Sequence, residues 1–237
     1  MTIAGAQALV QRHGDPSFRY QAADTLAGWG TPEAITALLD RFSVNVASET
    51  SDEAEKSHVG ELITDKIGRD AVEPLETYMT RHEQVAWPLR LLSRIVEPDE
   101  FCERIVRVLG KLDTHFDRLP ERKVEILHFL VEHAQHADVA DATHRFLEDT
   151  DDRVRIAAIE LLKASARQQD FEAMATCWIG SADRPRVRAA LHDALVDRPG
   201  AFAGRVEGLS APEGFVITAD GTLAKEEAPK AAAPRRK

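Results

Sequence analysis

The sequence predicts an all-α fold: an α-solenoid, or superhelix, of about six stacked helix pairs, with a short C-terminal β-hairpin or extended cap and a disordered tail. Two observations carry this prediction. Apolar residues recur at the helical period through most of residues 3–200, whereas strand-like alternation is almost absent before residue 210. The same stretch also resembles itself at a spacing of about 34 residues, the sign of a chain built from stacked units.

The elements follow in order. Ala34, Ile35, Leu38, Leu39 and Phe42 form one apolar stripe. Thr31 is placed to cap that helix, Pro32 suits its first position, and Glu33 favours the positive end of its dipole. Residues 43–57 are polar and acidic, and read as a solvated connector: an exposed loop or the early turns of a poorly packed helix. Pro88 belongs in a first turn or at a kink, and Pro120 marks a helix start after the irregular stretch 110–120. An amphipathic helix is expected from Val124 to Ala137. Past residue 200 the breakers Gly204, Gly208, Pro212 and Gly214 end the helical pattern. Phe215–Leu223 then reads as a strand, an Asp-Gly turn and a partial second strand. The expected division is solenoid 3–200, cap 201–224 and basic disordered tail 225–237.

The repeat itself is read from Asp15-Pro-Ser-Phe-Arg19, Asp151-Asp-Arg-Val-Arg155 and Asp183-Arg-Pro-Arg-Val-Arg188, each with a Leu seven residues after the Arg. Leu26, Ile63, Leu92, Leu130, Leu162 and Leu195 serve as equivalent anchors. Seven residues before them stand Arg19, Lys56, Val85, Lys123, Arg155 and Arg188. Five of these six are cations, which supports the register. The acids ahead of the cations, Asp15, Asp52, Asp151 and Asp183, are placed to cap the second helix of each pair and to reach a basic side chain. Asp15, Arg19, Asp151, Arg155, Asp183 and Arg188 are therefore expected to form a structural ladder. The pattern Asp-x-x-Val-Arg-x-x-Ala, clearest at 151–158 and 183–190, resembles HEAT repeats of the short bacterial type, also found in phycobilin lyases. The resemblance implies a curved array whose second helices line a partner-binding concave face. It does not fix the function.

Composition narrows the classes. Lys and Arg total 30 against 40 Asp and Glu, a net charge of −10. Residues 1–150 carry a net −11 and residues 151–205 a net +1. The body repels a polyanion on average, which argues against nucleic acid. The cluster Arg153, Arg155, Arg184, Arg186 and Arg188 is the one place where a comparison with HEAT-like DNA glycosylases arises. No stretch approaches about 18 apolar residues, so no membrane span is expected. Two cysteines, Cys102 and Cys177, and no export signal fit a reducing cytoplasm. No nucleophile elbow, P-loop, dinucleotide fingerprint or zincin motif occurs, and no cofactor is expected.

The function expected is therefore a non-enzymatic scaffold, binding a protein or peptide on the concave face through Glu61, Glu125, Arg155 and Arg188. The alternative is an accessory or lyase-like role in handling a cofactor, with nucleic-acid binding behind it. Metal ligation has two starting points. His133 and His136 lie three apart on the expected helix, with Asp138 or Asp141 as a third ligand. His82-Glu83 resembles one of the His-Glu pairs of deoxyhypusine hydroxylase, a HEAT-like di-iron enzyme, but stands without matching pairs in the other repeats.

Overall fold

The computed structural model describes residues 1–12, 15–205, 207 and 209–226. The chain is mostly helical, with one small two-stranded sheet. The helices are α1 (Ile3–Val10), α2 (Pro16–Trp29), α3 (Pro32–Leu39), α4 (Glu49–Glu61), α5 (Val72–Arg81) and α6 (Ala86–Ile95). They continue with α7 (Pro98–Gly110), α8 (Pro120–Leu130), α9 (Ala137–Thr143), α10 (Asp152–Ser165), α11 (Gln168–Gly180) and α12 (Pro185–Leu195). Strands β1 (Phe215–Ile217) and β2 (Leu223–Lys225) pair antiparallel, with Val216 opposite Ala224. No helix among the described residues is long and apolar enough to cross a membrane.

Local chemistry sets most of the boundaries. The Thr31 hydroxyl accepts from Ala34 N at 3.3 Å and Pro32 takes the first position of α3. Pro120 opens α8 in the same way, and Pro88 sits in the first turn of α6, where its missing N–H costs nothing. A π-helical turn, Leu62–Ile67, carries the chain on from α4.

The helices pack in two rows. In one row α1 lies on α3, α3 on α5, α5 on α7 and α7 on α9, and the 3-10 turn His144–Glu148 then contacts α11. In the other, α2 lies on α4, the π turn on α6, α6 on α8, α8 on α10 and α10 on α12. One apolar cluster runs between the rows from Ala6 to Leu223. Leu26, Ile63, Leu92, Leu130, Leu162 and Leu195 are all fully buried in it. Each contributes about 1.5–3 kcal/mol by leaving water. Small residues let the helices close up: a side chain at Gly60 would press on the Trp87 ring at 3.2 Å. Trp87 in turn stacks on Phe42 at 5.5 Å.

The hairpin rests on the end of α12. Leu223 is fully buried and bridges Val196, and Asp197 N donates to the Leu223 carbonyl at 2.8 Å. Phe202 meets the Trp178 ring edge-on at 5.4 Å. Of the expected tail 225–237, Lys225 closes β2 and Glu226 N donates to the Gly214 carbonyl, while residues 227–237 lie outside the described residues.

Two sequence expectations are corrected. Residues 49–61 form helix α4 rather than a solvated connector, and Glu55 and Lys56 within it are buried. The reason is ion pairing with residues from other helices, which hydropathy does not register. The helix expected from Val124 to Ala137 ends at Leu130, passes through a 3-10 turn at Val131–His133, and is separate from α9.

Candidate functional site

The cations at the repeat position divide into two groups. Those of the first group are buried and matched by acids. Arg19 donates to both carboxylate oxygens of Glu55, at 2.6 and 2.7 Å. Glu55 also accepts from Arg41 Nε at 3.1 Å, and Arg41 Nη2 donates to Asp52 at 2.7 Å. Lys56 Nζ lies 2.7 Å from Asp52, and Lys123 Nζ 2.6 Å from Asp149. Burial would raise the Glu55 carboxyl, but the hydrogen bond from Arg19 and the Arg41 and Arg19 charges outweigh it and hold the group below its ordinary range. A buried charge is tolerated only with such partners.

Arg155 and Arg188 break this pattern. Both are half-buried, and neither meets a carboxylate among the described residues. Arg155 Nε donates to the Asp149 carbonyl at 2.6 Å, and Nη1 reaches the Ser181 hydroxyl at 3.4 Å. Arg188 holds its guanidinium over the Trp178 ring at 4.2 Å.

Arg155 opens into a cleft of about 710 Å3. Its other walls come from His115, from His144 and Glu148, and from Thr176, Cys177 and Ser181. Each is held from behind. His115 sits in a loop fixed by Thr150 N donating to the Thr114 carbonyl at 3.0 Å, and by the Asp113 carboxylate accepting from His115 N at 2.7 Å. His144 Nε2 donates to Asp170 Oδ1 at 2.6 Å. Asp170 is fully buried, which would raise its carboxyl, but hydrogen bonds from Arg167, Ser165 and His144 hold it below the ordinary range. Cys177 Sγ donates to the Leu147 carbonyl at 3.3 Å, and burial pushes its thiol up, away from a reactive thiolate. The Ser181 hydroxyl is committed to the Cys177 carbonyl at 2.7 Å. The cleft thus offers the Arg155 guanidinium and the His115 ring to an acidic group, and no activated nucleophile. Glu148 stands at its rim as the opposing charge.

The remaining predicted residues do not line this cleft. Glu125 accepts from Val85 N at 2.8 Å and Ala86 N at 3.0 Å, closing the start of α6. Glu61 is exposed at the end of α4. Asp15 caps α2 through Ser17 N, and Asp151 caps α10 through Arg153 N, both at 2.8 Å. Asp183 is a correction: it is exposed, and the cap position of α12 is Arg184, with no side-chain cap. Asp52 lies inside α4, whose cap is Ser48. The links between successive helices of the second row fall instead on Glu121–Arg153 at 2.6 Å and Asp152–Arg184 at 2.5 Å. Both pairs are 32 residues apart, so opposite charges at the repeat spacing were the signal that would have found them. These pairs also neutralise two members of the arginine cluster considered for nucleic acid.

The metal candidates do not converge. His133 packs against Phe101 and Phe129, and His136 takes the cap position of α9, on a separate element. His82 stacks on Tyr78 at 3.9 Å, burial lowers its proton affinity, and Glu83 is exposed. Asp141, His144 and Asp170 form the one three-ligand group among the described residues, within 4.8 Å of one another. The Arg167 guanidinium already spans it, donating to Asp141 and Asp170 at 2.7 Å each.

No family model, no curated protein and no solved structure matches this chain.

Proposed function

We propose that this chain is a HEAT-like α-solenoid that captures an acidic segment of a protein partner at the Arg155 cleft and carries out no reaction there. The observation that carries the reading is the contrast along the repeat position. Arg19, Lys56 and Lys123 are neutralised by acids, whereas Arg155 lies open to a cleft of about 710 Å3 with no carboxylate of its own among the described residues. A guanidinium held by a carbonyl through Nε, and by a long 3.4 Å bond from Nη1 to Ser181, keeps its Nη2 for a carboxylate. The two-row packing and the Asp-x-x-Val-Arg pattern support the solenoid. The cleft is walled by α11 and the His144–Glu148 turn as well as by α10, so the contact surface moves from the open face of the second helices to the edge between the rows.

The test is fluorescence anisotropy with labelled decapeptides rich in Glu, each against its Gln counterpart. The reading expects saturable binding of the acidic set, weakening with salt, and a loss of about tenfold or more in Arg155→Gln with its melting temperature retained. Equal binding of the two sets, or an Arg155→Gln variant that melts without a binding phenotype in Arg155→Lys, returns Arg155 to a structural role.

A further inference from the structure

We propose that the cavity between α12 and residues 210–215 is a binding site for a small aromatic carboxylate, separate from the Arg155 cleft. The cavity measures about 510 Å3, within the span of small-molecule sites. Its walls are mainly apolar, from Trp178, Pro185, Ala189, Pro212 and Phe215. Three polar side chains line it, Arg188, His192 and Ser210. Few polar groups among apolar walls is the composition by which a pocket orients a ligand.

Of these, Arg188 has capacity to spare. The Arg188 guanidinium stacks on Trp178 at 4.2 Å and meets no carboxylate among the described residues. A stacked guanidinium keeps its N–H groups in the plane of the stack, where a carboxylate is accepted edge to edge. The His192 ring stands against Phe215 at 4.4 Å and 86°. Its Nδ1 lies 3.5 Å from Asp193, and its Nε2 is buried with no hydrogen-bond partner among the described residues. A buried ring nitrogen left unsatisfied is costly, and native proteins hold few of them. Nε2 has no surface open to the cavity, so the Arg188 guanidinium is the donor that a carboxylate meets.

Charge and shape fix the class. The chain is acidic overall, yet α12 carries Arg186 and Arg188 in its first half, so an anion is drawn to this end. Phe215, half-buried in the wall, offers a flat body an aromatic contact, while Trp178 lies behind with Arg188 over its ring. The cavity is set between α12 and residues 210–215, and its volume is that of a compact molecule's site.

The probe is 1-naphthoate, with the neutral 1-naphthalenemethanol as its counterpart. The readout is the Trp178 indole N–H resonance of the full chain, assigned with Trp178→Phe. Naphthoate is expected to move that resonance to saturation, and the alcohol to bind about tenfold more weakly or worse. Arg188→Gln should remove about that same factor for naphthoate and leave the alcohol unchanged. Ala189 is exposed, so Ala189→Leu should fold normally and block both probes, which decides the matter even where Arg188→Gln is unstable. The proposal is overturned if naphthoate gives no saturable shift up to about 10 mM, or if acid and alcohol bind alike. It is equally overturned if Ala189→Leu binds naphthoate as the parent does. Tighter binding of a peptide ending in a free Phe carboxylate would make the site a reader of chain termini instead.

Discussion

Replacing Glu55 by Gln removes the acid shared by Arg19 and Arg41. Glu55 is 3% exposed, Arg19 4% and Arg41 1%, so the two guanidinium groups stay out of water when their partner loses its charge. Arg41 keeps Asp52 at 2.7 Å and the Val44 carbonyl, and Arg19 keeps the Arg12 carbonyl at 2.8 Å. Gln can accept through one oxygen only, and its amide points donors at a cation. Breaking a buried pair from one side costs about 3–5 kcal/mol. For a chain of this length each kcal/mol moves the melting temperature by about 2–4 °C, so Glu55→Gln should melt about 6–20 °C lower. The reference is Arg153→Gln, which breaks the Glu121 pair, where the side chains are 48% and 40% exposed. Solvent screening reduces such a pair to about 0–1 kcal/mol. Thermal and urea melts followed by circular dichroism compare the two. If Glu55→Gln loses no more than Arg153→Gln, the claim that the buried network at α2 and α4 holds the fold is wrong.

Two further outcomes are expected. Hydrogen bonds and nearby cations hold the carboxyls of Glu55, Asp52 and Asp170 below their ordinary range against burial. The unfolded chain, with values near about 4.3 for Glu and 3.9 for Asp, therefore binds protons first on acidification. Their stabilisation is complete above about pH 4.5 and is lost as the pH falls through the lowered folded values. Melting temperature against pH should show this decline, and Glu55→Gln should flatten it. At the hairpin turn, Gly221 has φ 83°, and an added Cβ would meet the backbone of Ala203 and lie 2.7 Å from the Phe202 carbonyl carbon. Gly221→Ala should cost about 1–2 kcal/mol from the left-handed backbone alone and more from the collision. The measurement is the His192–Phe215 ring contact by NMR, which should weaken while the signals of α1–α6 stay in place.

What the sequence made legible was local or periodic. Thr31 and Pro32 announce a helix start within three residues, and the six anchors stand out because burial repeats with the chain. The hairpin is legible because Asp220-Gly221 sets the turn by itself. The acidic stretch 43–57 was misread because its partners Arg19 and Arg41 come from other elements. His133 and His136 were placed on one face because nothing between Leu130 and Ala137 is a Gly or Pro to mark the break. Asp183 was placed as a cap although Asp183-Arg184-Pro185-Arg186 holds one residue more than Asp151-Asp152-Arg153 before the Val-Arg pair. Pro185 at the first helical position hands the cap to Arg184. Arg155 and Arg188 were singled out by their repeat position. That they lack acids could not be read, since Glu55 and Asp149, which serve their counterparts, are supplied from other positions.

The ion pairs described above are short in their reach. Among the described residues the longest, Arg19–Glu55, spans 36 positions, and most others between helices span 26 to 34. Among the described residues no bridge ties the first helices directly to the last. Strain introduced at α1 must therefore be relayed helix by helix, and each relay dissipates part of it. Such wiring lets the ends fray while the middle stays protected, so amide exchange should grade inward from both termini instead of switching off at once. It also insulates the Arg155 cleft: damage in the first third of the chain can be absorbed long before it reaches the residues that would hold a partner.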